Sequence, residues 1–266
     1  MTKDKKLKKY AASKQRYSSR KEDNSYWIYG IHPCLSALNN NNRTCLRLLI
    51  TKSTLISSQI NKSYDFLDIE VVDQEKIRAV LPTGTSHQGI TIKTLPLPSI
   101  TLSKFIKTLN TESTQTLLAL DQVNDPRNIG AILRTASAFG VKATIVPEQG
   151  TPNESGAMCK AAAGSMETMT LLRVPNLVRA IRELKKIGFW VTGIENNRGT
   201  DLSNCVFSKK SLLILGAEAN GIRRLTREQC DYFTHISISN EIDSLNISNA
   251  AAIALYESSK QKNQFK

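Results

Sequence analysis

Apolar residues recur with two different spacings along this chain, and the alternation between them sets out its elements. Tyr29 to Asn39 has helical spacing and ends in the turn-prone Asn39-Asn40-Asn41-Asn42. Cys45 to Thr51 (C-L-R-L-L-I-T) reads as a strand. Residues 53–66 predict a helix, Ile69 to Val72 a strand, Gln74 to Leu81 a helix, and Gly89 to Lys93 a strand. From residue 116 the strand candidates are Leu117–Leu120, Ala143–Val146, Thr168–Leu172, Phe189–Gly193, Leu212–Leu215 and His235–Ile238. Helices intervene at about 128–140, 154–163, 176–187 and 246–262. Strands alternating with helices predict an α/β fold whose mainly parallel sheet is covered on both faces. In such sheets ligands bind at the carboxyl ends of the strands.

The same pattern divides the chain. Residues 1–24 are polar and charged and read as a disordered arm, 25–95 as a small α/β module, and 116–266 as the larger domain. Leu95-Pro96-Leu97-Pro98-Ser99 punctuates the chain, so 96–115 reads as a linker with a short helix.

Charge adds a partner class. The net charge is +13, and residues 1–22 hold nine Lys/Arg against Asp4 and Glu22, a net +7, which leaves +6 for the remaining 244 residues. A basic arm on a mildly basic body points to a polyanion, because lysines that neutralise phosphates release counterions. The five cysteines (34, 45, 159, 205 and 230) contain no C-x-x-C pair, and His32, His87 and His235 are far apart. Neither a disulfide framework nor a metal centre is expected. There is no apolar leader near Met1 and no run approaching a membrane span. The expected location is cytoplasmic, with no membrane partner.

Three segments concentrate polar groups at strand–turn–helix junctions. In Leu120 to Ala136 a strand ends, Asp125-Pro126 turns the chain, and Asn128 stands at or near a helix N-cap. Arg134 lies two turns into a helix otherwise built of Ile, Ala and Leu, where a cation calls for a carboxylate or phosphate partner. In Leu212 to Ile222 an apolar run ends in Gly216-Ala217-Glu218, and Asn220-Gly221 is a turn signal. Gly216 permits close approach of a ligand or another backbone. In Ser244 to Glu257 a hydroxyl and an amide, Ser244 and Asn246, precede a helix of small and apolar residues. Helix starts expose free N–H groups that favour bound acceptors. An ordinary cap explains Ser244 or Asn246 equally well at this level. No Ser/His/Asp grouping, phosphate loop or dinucleotide-binding glycine pattern is present.

These segments resemble the three motifs of the SpoU/TrmH branch of the SPOUT methyltransferases. The matching residues are Asn128, Gly130 and Arg134 (N-x-G-x-x-x-R), Gly216, Glu218 and Gly221 (G-x-E-x-x-G), and Ser244 to Ser248 (S-L-N-x-S). Gly30-Ile31-His32 and His87-Gln88-Gly89-Ile90 resemble the ends of the family's small RNA-binding domain, of L30e type. The resemblance implies S-adenosylmethionine as methyl donor, no metal, a deep trefoil knot in the C-terminal domain and a homodimer that completes the active site. It implies that Gly216, Ile236 and Leu245 line the donor pocket, and that Asn128, Arg134, Glu218, Ser244 and Asn246 form the catalytic region. The implied reaction is 2′-O-methylation of a ribose in RNA, a guanosine of large-subunit rRNA or its precursor, with Glu218 and Asn246 holding Arg134 or the ribose. Two other readings share the fold: a tRNA 2′-O-methyltransferase, and a non-catalytic RNA-binding or resistance protein.

Overall fold

The computed structural model describes residues 24–58, 60, 67–110, 113–196, 198–218 and 220–261. The expected basic arm therefore lies, but for its last residue, outside the described residues, as does the end of the helix expected over 53–66. Two compact units divide at Pro98 and Ser99.

The first unit is a four-stranded sheet in the order β1-β4-β2-β3, with strands Tyr26–Tyr29, Cys45–Ile50, Asp68–Val71 and Ile90–Thr94 numbered β1 to β4. Helices α1 (Ile31–Asn39), α2 (Lys52–Ser57) and α3 (Gln74–Ala79) connect them. β1 was not anticipated. It pairs antiparallel with β4 and buries Ile28 completely, so pairing rather than its own pattern makes it a strand. Tyr29 belongs to β1, and the helix begins only after Gly30, whose φ is 93°.

His87-Gln88-Gly89 closes this unit against the start of α2. Thr51 N–H donates to the Gly89 carbonyl (2.8 Å), and Thr54 Oγ1 donates to that of Gln88 (3.1 Å). Gly89 has φ +75°, and a Cβ there would stand 2.2 Å from Thr54 Oγ1. Ile31 N–H donates to Gln88 Oε1 at 3.3 Å, which joins the two ends of the module.

The second unit carries a seven-stranded sheet in the order β7-β6-β5-β10-β8-β11-β9, with every recorded pairing parallel. Its strands are β5 (Gln115–Asp121), β6 (Ala143–Pro147), β7 (Leu171–Val174), β8 (Trp190–Ile194), β9 (Thr200–Asp201), β10 (Lys210–Gly216) and β11 (Tyr232–His235). All seven residues of β5 are buried, as a strand covered on both faces requires. The helices are α4 (Leu102–Thr108), α5 (Pro126–Ala138), α6 (Gly156–Ala162), α7 (Leu177–Lys186), α8 (Arg224–Arg227) and α9 (Ile247–Gln261). The stretch 96–115, expected as a linker with a short helix, holds α4, whose Leu102 and Phe105 sit in the main core beside Leu117, Ile145 and Leu212.

Two strands are displaced from the expected positions. β7 starts at Leu171 because Ser165–Glu167 forms a 3-10 turn that delays it. β11 spans Tyr232–His235 rather than His235–Ile238, since Tyr232 to Thr234 pair with Thr192 to Ile194 of β8. The apolar residues Ile236 and Ile238 are thereby released from the sheet to line a cleft.

His87 is 6% exposed, and its Nδ1 accepts the Gly89 N–H at 3.1 Å. Burial, with the nearby Arg78 charge second, holds its pKa below the ordinary 6.5. The unfolded chain takes up a proton near pH 6.5 that the folded chain refuses, so this contribution is present above that pH and fades as pH falls below it. An NMR titration of the histidine Cε1 resonances, assigned with His87→Asn, should show His87 titrating below 6.5. A midpoint above 6.5 would contradict the buried neutral imidazole.

Candidate active site

Three neighbouring parallel strands, β10, β8 and β11, end at one cleft. Gly216 closes β10 in register with Asp121 at the end of β5, and Leu215 lies beside Ile194 at the end of β8. β11 ends next to β8. The chain leaving these strands encloses about 440 Å³, a size suited to a small organic ligand. Gly216, Ile236 and Leu245, expected to contact a cofactor, all line it, and so do Glu218 and Ser244. Ile194, Leu215 and Ile238 add apolar wall.

Glu218 stands on the turn after β10. Gly221 N–H donates to the Ala217 carbonyl at 2.8 Å, and Gly221 takes φ +61°. A Cβ on Gly216 would fall 2.0 Å from the Gly221 carbonyl carbon, so the backbone doubles back with no room for a side chain. The Glu218 carboxylate then meets the start of α9. Its Oε1 accepts from Ile247 N–H (3.1 Å), Asn246 Nδ2 (2.9 Å) and Asn128 Nδ2 (3.3 Å). Asn246 Nδ2 also donates to Asn128 Oδ1 at 3.1 Å, while Asn246 Oδ1 accepts from Ser248 N–H at 2.9 Å. Asn246 is therefore an ordinary helix cap and a site residue at once.

Asn128 is not the cap of α5. Asp125 fills that position, accepting from Arg127 N–H at 2.8 Å, with Pro126 at the first helical residue. That leaves the Asn128 amide free to bridge Glu218 and Asn246 from 90 and 118 residues away in sequence. Gly130, two residues on, serves packing. A Cβ there would lie 2.3 Å from the Met158 carbonyl and 2.8 Å from Ala161 Cβ on α6.

The structure thus joins Asn128, Glu218 and Asn246 by hydrogen bonds and places Ser244, itself exposed, on the cleft wall. It does not bring Arg134 to them. Arg134 is exposed, and no side-chain partner is recorded for it among the described residues. Six residues along a helix of 3.6 per turn place it about 120° around α5 from Asn128 and about 9 Å farther along.

Several residues at the cleft escaped the sequence reading. Glu195, just past β8 and 10% exposed in its side chain, pairs with Arg227 Nη2 at 2.7 Å. Arg227 holds its proton more firmly than usual through that hydrogen-bonded carboxylate. Asp121, wholly buried, accepts from Arg223 N–H (3.0 Å) and Nε (2.7 Å), which anchors the chain after Gly221. Burial, with the Glu195 and Asp231 charges next, pushes the Cys230 thiol up to about 12, which disfavours its thiolate. Among the described residues no group of three or more His, Cys, Asp or Glu could hold a metal, and no helix is long and apolar enough to cross a membrane.

The class of this chain, a parallel-sheet unit joined to a small separate module, is given by sequence comparison. The chain belongs to the SpoU rRNA Methylase family, whose model matches residues 115–256. A second model, RNA 2′-O ribose methyltransferase substrate binding, matches residues 27–99. Among its relatives is the 23S rRNA (guanosine-2′-O-)-methyltransferase RlmB of Haemophilus ducreyi, 35% identical over 240 residues, which are 88% of this chain and 97% of the relative. RlmB of Nitrosomonas europaea is 39% identical over 192 residues, 71% of this chain and 73% of that one. The fold is shared with the SpoU methyltransferase AviRb from Streptomyces viridochromogenes in complex with the cofactor AdoMet (TM-score 0.75, 19% identity, 94% of both chains). It is shared too with an AdoMet-bound rRNA methyltransferase from Sinorhizobium meliloti (TM-score 0.75, 22% identity, 92% of this chain and 90% of that one).

Gly216→Ala tests the doubled-back turn. Forcing the 216–222 segment apart should cost about 1–3 kcal/mol by chemical denaturation, the usual range for overpacking. Amide exchange at Gly221 and Ile222 should accelerate more than at β5. Unchanged stability and exchange would mean that the turn has slack.

Proposed function

We propose that this chain transfers a methyl group from S-adenosylmethionine to the 2′-hydroxyl of a guanosine ribose in 23S rRNA. The observation that carries the reading is the Asn128–Glu218–Asn246 cluster at the rim of the cleft lined by Gly216, Ile236 and Leu245. The cleft suits the donor: Ile194, Leu215 and Ile236 offer an apolar slot, and Gly216 leaves backbone groups bare toward it. The family's knotted path belongs to the same reading.

The donor supplies a methyl already activated by its sulfonium. The chain has to align the ribose hydroxyl with that methyl and ease loss of the hydroxyl proton. Glu218, fixed by two amides and the Ile247 N–H, orients the ribose. Ser244 and Asn246 border the same edge. Arg134 lowers the cost of the forming alkoxide with the target phosphate as its partner. It stays charged throughout, since a guanidinium does not give up its proton in proteins.

The exposed position of Arg134 fits a homodimer in which two chains complete each site. Ile253 and Tyr256 of α9, 41% and 52% exposed, offer apolar surface for a second copy, and Tyr256 packs edge-on against Phe139 just past α5. The front module would supply further RNA contacts, and a cytoplasmic location goes with a ribosomal RNA substrate.

Mapping of 2′-O-methyl positions in total RNA from cells with and without the protein tests the reading, and loss of a guanosine methylation in 23S rRNA is expected. Loss of a tRNA methylation alone would favour the tRNA enzyme of the same family; no change at all would leave the non-catalytic reading. With purified protein, Arg134→Ala should lower kcat by about 10²–10³, the scale for removing one group that stabilises developing charge, while donor binding is retained. Near wild-type turnover would remove Arg134 from the mechanism. Tyr256→Glu should yield monomers by light scattering together with loss of methylation; an active monomer would overturn the shared site.

A further inference from the structure

Two adjacent side chains at the cleft have no part in the chemistry above, yet they bind both of the other loops that form it. Glu195 Oε1 accepts from Ile222 N–H (3.2 Å) and from Arg227 Nη2 (2.7 Å), and Arg227 Nε lies 3.1 and 3.0 Å from the two carboxylate oxygens. These bonds tie the segment after β8 to the turn that carries Gly216 and Glu218. On the other side Asn196 Nδ2 donates to the Asp243 carbonyl at 2.8 Å, directly before Ser244 and Leu245. Arg198 completes the segment, 3.6 Å from Glu195 Oε2 and 3.9 Å above the Phe233 ring.

The burial of Glu195 decides what this arrangement is worth. A surface ion pair contributes little, but the Glu195 side chain is only 10% exposed. Removing it leaves the Ile222 N–H and the Arg227 cation without their acceptor beside the cleft, a larger loss than a neutral hydrogen bond. Oε1 is already taken up by protein donors, so Glu195 acts through the loop it holds rather than on a ligand.

We infer that Glu195 and Asn196 are positioning residues for the methyl donor: a two-point clasp that holds the 216–222 turn and the 243–245 segment before α9 at the spacing the donor requires. The inference rests on the proposed function and extends it to donor affinity. The clasp predicts a selective defect, because neither residue belongs to the Asn128–Glu218–Asn246 cluster. Loosening it should weaken donor binding while leaving recognition of RNA by the rest of the chain in place.

The test is calorimetric titration of the full chain with S-adenosylhomocysteine, together with steady-state methylation of 23S rRNA. Glu195→Ala should weaken S-adenosylhomocysteine binding roughly ten- to a hundredfold, the fold-change expected for lost charge-assisted hydrogen bonds. KM for the donor should rise in parallel, with KM for RNA within about twofold of wild type. Glu195→Gln keeps the shape and one acceptor oxygen and should recover part of the loss; it also serves if the alanine variant does not fold. Asn196→Ala should give a smaller shift in the same direction. Donor affinity within twofold of wild type in the folded variants, or an equal rise in both KM values, would overturn the clasp. A wild-type chain that binds no S-adenosylhomocysteine would overturn the proposed function and the clasp with it, which separates the two failures.

Discussion

A backbone-to-backbone contact governs this site. Gly216 faces Gly221 so closely that a single added carbon would sit 2.0 Å from a carbonyl carbon. The turn between them is consequently tight, and its N–H to carbonyl bond from Gly221 to Ala217 fixes where Glu218 points. Were the turn wider, the Glu218 carboxylate would miss the first free N–H of α9, and the Asn246 amide would lose its acceptor. The geometry of three separate loops thus follows from one place where the chain can carry no side chain. The buried Asp121, gripping Arg223 just beyond the turn, holds that place from below. An unpaired carboxylate there would cost several kcal/mol, about 3–5 by the usual measure for a broken buried pair.

The polar cluster above the turn is not explained by stability. Asn246 and Glu218 are exposed, where hydrogen bonds and charges contribute little to folding. Capping α9 would need only the Asn246 oxygen, which accepts from Ser248. The amide nitrogen is used separately, on Glu218 and Asn128. Two amides and a backbone N–H directed at one carboxylate oxygen orient that oxygen and leave the other with acceptor capacity. Such an arrangement suits a hydroxyl that has to be held at a set angle.

How much of this was legible in the sequence depends on how far each signal reaches. The alternation of strands and helices gave the α/β sheet and the separate front module, because period and burial are local properties. Asn220-Gly221 marked the turn and Asn246 the cap for the same reason. Asn128 was legible as polar but assigned to the wrong local duty: Asp125 is the better-placed cap, one residue ahead of Pro126. Glu195 and Asp121 gave no signal, since their partners Arg227 and Arg223 lie 32 and 102 residues away. β1 and the true limits of β11 are likewise set by neighbouring strands, β4 and β8, rather than by their own residues.

Arg134 raises the remaining structural question. Its helix is packed through Ile129, Ile132 and Leu133, all fully buried, so rotation of α5 cannot bring the guanidinium to Glu218. The side chain is long, but about 120° of helix surface separates it from Asn128. A cation placed there either serves solubility or faces something that a single chain lacks. Arg134 lies five residues before Phe139, which packs edge-on against the exposed Tyr256. In the proposed homodimer, a phosphate backbone arriving at the cleft and a second copy of the chain along α5 and α9 would supply the charge and the cover for this surface. On that proposal the network on one face of α5 would orient the sugar, and the cation on another would meet the strand that carries it.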